Sequence, residues 1–99
     1  MAELLSDPEI DSALTDLPAW RRDGATLVRT IESTSFPAAI VLVDRVAEAA
    51  ESMNHHPDID IRWRTVTYTL STHSAGGITA ADLELARRID ALASSPPTP

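Results

Sequence analysis

Apolar residues along this chain alternate between helical and strand spacing, and the switches fall where capping and turn-forming residues cluster. Ser6-Asp7-Pro8-Glu9 has the form of a capping box with proline in the first turn. Ile10, Leu14 and Leu17 follow at i, i+4 and i+7, which predicts an amphipathic helix closed by Pro18. Asp23-Gly24 then separates Trp20-Arg21-Arg22 from the β-branched run Ala25 to Glu32, which predicts a hairpin over Trp20 to Glu32. Ser33-Thr34-Ser35 offers N-caps for a second helix, from Phe36 or Pro37 to about Met53. Its expected apolar face is Phe36, Ile40, Val43, Ala47, Ala50 and Met53, broadened by Val41 and Leu42. That breadth has two readings, ordinary core packing or a helix-mediated subunit contact.

From Ile59 the spacing drops to two. Ile59, Ile61 and Trp63 fall on odd positions, whereas Val66, Tyr68 and Leu70 fall on even ones. The change of parity near Arg64-Thr65 requires either a bulge or a tight reversal into another strand. Ala75-Gly76-Gly77 ends the strands, and Thr79 with Asp82 three residues later is a second capping-box pattern. Leu83, Ala86, Ile89 and Leu92 or Ala93 stripe the last helix. Residues 1–93 read as a single domain, and Ser94 to Pro99, rich in serine and proline, as a disordered tail. The order α-β-β-α-β-β-α predicts an α+β fold, a four-stranded antiparallel sheet with helices packed on one face. An exposed edge at the first hairpin or the last strand predicts pairing with a second copy into a homodimer.

Composition narrows the chemistry. A net charge of −7 over 99 residues argues against nucleic acid as a partner, since phosphate binding needs a basic surface. Without cysteine there is no thiolate catalysis and no cysteine-ligated metal; without lysine there is no Schiff base and no P-loop lysine. Met1 to Asp7 lacks the basic start and apolar core of a signal peptide, and the longest strongly apolar run, Ala38 to Val43, is too short to span a bilayer. The expectation is a cytoplasmic protein with no membrane partner.

All three histidines lie between Glu51 and His73. His55 and His56 sit where the long helical pattern stops, and His73 where the last strand pattern stops. An unperturbed imidazole titrates near neutrality, so this placement points to general acid–base chemistry on a small substrate. Zinc held by all three is the alternative, but there is no His-Glu-x-x-His spacing to support it. A serine nucleophile is weaker still, because no nucleophile-elbow pattern surrounds Ser71.

Glu51-x-x-x-His55-His56-Pro57, five residues to the aromatic Trp63, then Thr69-Leu70-Ser71-Thr72-His73 and Asp82, resemble the pterin-4a-carbinolamine dehydratases. Trp20 with the Asp-Gly turn, Phe36 and Ile78 to Ile89 extend the resemblance over most of the chain. The family's element order is the one derived above from spacing alone. The resemblance implies dehydration of a 4a-hydroxytetrahydropterin to the quinonoid dihydropterin, with no metal and no organic cofactor, in support of tetrahydrobiopterin recycling. It further implies that His55, His56 and His73 act as acid and base, and that Glu51, Asn54, Pro57, Ser71, Thr72, Ser74 and Asp82 bind the pterin. Asp82 also has a purely local role, as the closing member of the capping box begun by Thr79. Family members form homodimers through sheet edges and homotetramers through helix faces, and some relatives are non-enzymatic interaction or assembly modules on the same fold. Two positions depart from the family pattern: Asn54 stands where animal members carry aspartate, and Ile59 where many members carry tryptophan. The arginine-only, alanine-rich composition points to a GC-rich bacterium.

Overall fold

The computed structural model describes residues 3–94, and its elements follow the expected order. Helix α1 spans Asp7–Leu14, strands β1 and β2 span Arg21–Asp23 and Thr26–Glu32, and helix α2 spans Phe36–Met53. Strands β3 and β4 span Asp58–Arg62 and Thr65–Leu70, and helix α3 spans Ala80–Ser94. Residues 95–99 of the expected tail lie outside the described residues. The four strands form one antiparallel sheet in the order β1-β2-β4-β3, with the helices on one face.

The capping box at Ser6 forms as expected: the Ser6 hydroxyl accepts the Glu9 N–H, and the Glu9 carboxylate accepts the Ser6 N–H at 2.9 Å. These bonds, the backbone one foremost, hold the Glu9 carboxyl below its ordinary pKa. α1 is shorter than its apolar spacing predicts. It ends at Leu14, where Thr15 turns its N–H and hydroxyl back onto the Ser12 carbonyl, and Leu17 is buried from a following turn.

Both hairpins are closed by two-residue turns with a positive φ at the first central residue. In β1–β2 that residue is Gly24, at φ 59°, so the turn is Gly24-Ala25, one residue later than the Asp-Gly signal suggests. In β3–β4 it is Trp63, at φ 55°, and Arg62 pairs with Thr65 across it. The parity change is thus a tight reversal rather than a bulge. A tryptophan in this backbone region is strained by the order of 1 kcal/mol or more. The Arg64 guanidinium lies 4.9 Å from its ring centroid, and the Ser33 N–H binds the Arg64 carbonyl at 2.9 Å.

The reversal brings both β3 and β2 against β4, so β4 is internal and the free edges belong to β1 and β3. The edge expected at the first hairpin is thus present at β1, whereas the other edge belongs to β3 and not to the last strand. Leu27, Ile31, Val66 and Leu70 share the helix-covered face with Tyr68, while the opposite face carries Thr30, Thr67 and Thr69. On that open face the Thr30 and Thr67 hydroxyls meet at 2.9 Å.

α2 also turns differently from its expected face. Its buried residues are Ala39, Leu42, Val46 and Ala50, whereas Phe36 is 47% exposed and Ala47 faces solvent. Of the expected set, Ala50 and the added Leu42 are buried, and Val43 and Met53 pack against the core at its margin. α2 packs on α3, where Leu85, Ala86 and Ile89 are fully buried, and its own Ala39 and Ala50 are buried with Leu42 and Val46. Asp90 of α3 ties this layer to the sheet, accepting the Trp20 indole N–H at 2.7 Å and an Arg29 N–H. No helix among the described residues is long and apolar enough to cross a membrane.

Among the described residues, one buried side-chain group is left without a partner, the Tyr68 hydroxyl. Burial pushes its pKa up to about 12, an effect Arg29 partly offsets. A desolvated, unpaired hydroxyl costs about 1–3 kcal/mol, so Tyr68→Phe is expected to raise the free energy of unfolding in urea by about 1 kcal/mol, after allowing for the lost oxygen volume. Leu70→Ala is expected to lower it by about 2–5 kcal/mol. Because the folded-state pKa of Tyr68 exceeds that of the unfolded chain, its contribution is complete below pH 10 and is lost as pH rises towards 12. Tyr68 is the sole tyrosine, so phenolate absorbance titrates it alone; Tyr68→Phe is expected to abolish that part of the alkaline destabilisation.

Candidate active site

The residues singled out in the sequence collect where α2 ends and where the chain leaves β4. α2 is stopped by Asn54, which adopts the left-handed conformation at φ 50° and returns its N–H to the Ala50 and Glu51 carbonyls. Asparagine is among the few residues that enter this region readily, because its short amide can bond locally. The reversal throws His55 and His56 off the helix in succession, and Pro57 leads into β3.

His55 turns inward. Its Nε2 lies 2.6 Å from Asp82 Oδ1, on a side chain only 14% exposed. The other ring nitrogen, Nδ1, has no hydrogen bond to another described residue. His56 turns outward, and its Nε2 meets Glu51 Oε1 at 2.7 Å with both side chains largely exposed. A surface pair of this kind contributes about 0–1 kcal/mol, enough to bias a rotamer but not to hold a fold.

Asp82 comes from the start of α3 and is wholly buried. Its Oδ2 accepts the Thr79 N–H at 2.9 Å and the Thr72 hydroxyl at 2.8 Å, and Thr72 Oγ1 lies 2.8 Å from Thr79 Oγ1. The capping interaction expected of Asp82 is therefore present on one oxygen, while the other holds His55. Thr72 is pinned as well: its N–H and carbonyl bond to Gly77 across a turn whose Gly76 has φ 79°. His73 and Ser74 occupy that turn, exposed and without side-chain bonds to other described residues.

The network thus joins His55, Thr72, Thr79 and Asp82, with His56 and His73 next to it in the chain. Ser71 points elsewhere, donating its hydroxyl to the Ala25 carbonyl at 2.8 Å. The Thr72 hydroxyl is directed into the protein rather than outward. Thr79 was legible only as a helix cap; that its hydroxyl meets Thr72 depends on how α3 packs. No three histidine, aspartate or glutamate side chains among the described residues come together as ligands for a metal ion. A separate cleft lined by Ile31, Ser33, Thr34, Val41, Arg45 and Leu92 lies at the other end of α2 and contains none of these residues. It has no histidine, and its one carboxylate, Glu32, is exposed.

The family model described as pterin 4 alpha carbinolamine dehydratase matches residues 3–92. A relative from Nocardia farcinica bearing that family's name is 69% identical over 91 residues, covering 92% of this chain and 96% of its own. Another from Mycobacteroides abscessus is 58% identical over 87 residues, 88% of this chain and 93% of its own. Among solved structures, a transcriptional coactivator/pterin dehydratase from Brucella melitensis superposes with a TM-score of 0.87 at 31% identity, covering 90% of this chain and 97% of its own. A pterin dehydratase-like protein identified as a RuBisCO assembly factor in the alpha-carboxysome superposes with a TM-score of 0.66 at 29% identity, covering 78% and 92%.

The left-handed cap yields a direct test of how the histidines are aimed. Asn54→Gly is expected to leave stability within a few tenths of a kcal/mol, whereas Asn54→Ala is expected to cost about 1–2 kcal/mol in urea unfolding.

Proposed function

The chain belongs to the pterin-4a-carbinolamine dehydratase family, and from that membership we propose that it converts a 4a-hydroxytetrahydropterin to the quinonoid dihydropterin and water. In this reaction the C4a–O bond breaks, the N5 lone pair forms a C4a=N5 double bond, and the N5–H proton leaves. One group must protonate the departing hydroxyl and another must accept the N5 proton; the electron-rich pterin supplies the push, so no metal or organic cofactor enters. His55, His56 and His73 are proposed as these acids and bases. Glu51, Asn54, Pro57, Ser71, Thr72 and Ser74 are proposed to border the pterin through side chains or backbone groups. The product would feed tetrahydrobiopterin recycling in the cytoplasm.

The observation that carries this reading is the pair of adjacent imidazoles, each engaged through Nε2 by its own carboxylate. Such rings are oriented before substrate arrives, and Nδ1 is the atom left for proton transfer at His55. Preorganised acid–base groups of this type contribute about 10²–10⁴ in rate.

We also propose that the chain self-associates. β3 is a free edge reading Asp58-Ile59-Asp60-Ile61-Arg62, and antiparallel pairing of two copies about Asp60 would set Asp58 against Arg62 and Ile59 against Ile61. Ile61 is 42% exposed on the face that helices cover elsewhere. The exposed Phe36 and Val41 of α2 offer a second surface for a tetramer.

A second reading, a non-enzymatic assembly module, is favoured by the likeness to the RuBisCO assembly factor. The two readings separate on activity. The purified protein is expected to accelerate loss of the 4a-hydroxypterin over its spontaneous decay, and His55→Ala or His56→Ala to reduce that acceleration about 100-fold. No acceleration by the native chain would leave only the assembly reading, whereas full acceleration by a variant lacking both histidines would reject them as the acids and bases. Sedimentation is expected to find a dimer or tetramer, with Ile61→Lys moving the population towards monomer; a monomeric native chain rejects the self-association.

A further inference from the structure

Asp82 touches no solvent, yet it is the best-connected carboxylate at the site. Counting donors assigns the hydrogens around it. The Thr79 N–H can only donate, and it points at Oδ2 from 2.9 Å. The Thr72 hydroxyl has one hydrogen, given to the same oxygen at 2.8 Å. Thr79 Oγ1, 2.8 Å from Thr72 Oγ1, must then be the donor in that contact, while it accepts the Ala81 N–H at 3.3 Å. The chain of donors therefore runs from Thr79 to Thr72 to Asp82 and stops on an acceptor. The remaining oxygen, Oδ1, faces His55 Nε2 at 2.6 Å, so Nε2 carries the hydrogen and Nδ1 carries the lone pair.

We propose that Asp82 is a positioning residue that acts through His55: with Thr72 and Thr79 it locks the Nε2–H tautomer and presents Nδ1 as a proton acceptor, without touching the pterin. This rests on the dehydratase reading for its kinetic consequence, but the tautomer itself does not. Its burial excludes direct substrate contact, and the helix cap it closes at Thr79 keeps the carboxylate from rotating.

Asp82→Asn tests the idea sharply. The two donors at the Oδ2 position select the amide oxygen there, which turns the amide NH₂ towards His55. Nε2 must then accept, and the ring must move its hydrogen to Nδ1. The expected result, read from long-range proton–nitrogen NMR of the neutral rings with His55 assigned by its loss in His55→Gln, is Nε2–H in the native protein and Nδ1–H in Asp82→Asn. Alongside it, kcat is expected to fall by about 100-fold or more with KM within about twofold, the pattern of a mis-set imidazole. Thr72→Ser, which keeps the hydroxyl, is expected to retain the tautomer, whereas Thr72→Val is expected to lower kcat.

An Nδ1–H tautomer at His55 in the native protein overturns the proposal even if Asp82→Asn does not fold. In an active native enzyme, so does an Asp82→Asn variant that raises KM while kcat holds, or that changes neither constant. A native protein without dehydratase activity instead rejects the dehydratase reading, and the NMR result then decides the tautomer by itself.

Discussion

A carboxylate buried away from water must have its lone pairs engaged, because an uncompensated charge in the interior costs several kcal/mol. At Asp82 that requirement organises the functional end of the molecule. One oxygen starts α3 by capping Thr79 and binds the turn after β4 through Thr72, and the other takes hold of the chain just beyond α2 through His55. Three segments far apart in sequence are brought to one point by a single side chain. Loss of any of its partners leaves the others bonded to a group that is poorly satisfied, so the arrangement is cooperative rather than a sum of contacts.

Behind that point the protein is closed, and in front of it the protein is open. Asp82, Thr72 and Thr79 are buried, while His56, His73 and Ser74 are exposed. Groups that hold geometry are thus shielded from water and groups that would meet a ligand are not, the division expected of a site whose reacting atoms need accurate aim. Asn54 contributes to the aim by backbone conformation alone. Its αL geometry ends α2 abruptly and sends two consecutive residues in different directions, one towards Asp82 and one towards Glu51.

The sheet positions these pieces through two reversals built on the same backbone device. Gly24 adopts a positive φ at no steric cost, whereas Trp63 reaches it with strain, and Arg64 packs over the indole. The second reversal places β3 at an edge, with Ile61 and Trp63 exposed beside unpaired backbone groups.

The types and order of all seven elements were legible in the sequence, because periodicity, caps and turn residues are local signals carried by neighbouring side chains. The histidines were legible as chemistry for the same reason: the residue type announces it, and the His55-His56-Pro57 and Leu70-Ser71-Thr72-His73 stretches mark the family. What spacing could not decide was rotation, pairing and direction. Which face of α2 is buried depends on how it packs against α3, a property of two surfaces together. That β4 is internal depends on which strand reaches it from the other side. That Asp82 serves both a helix cap and a histidine depends on α3 lying against the end of α2, which brings residues 55, 72 and 82 within hydrogen-bonding distance. Sequence determines what each segment tends to be; only the packed chain determines which side chains share a proton.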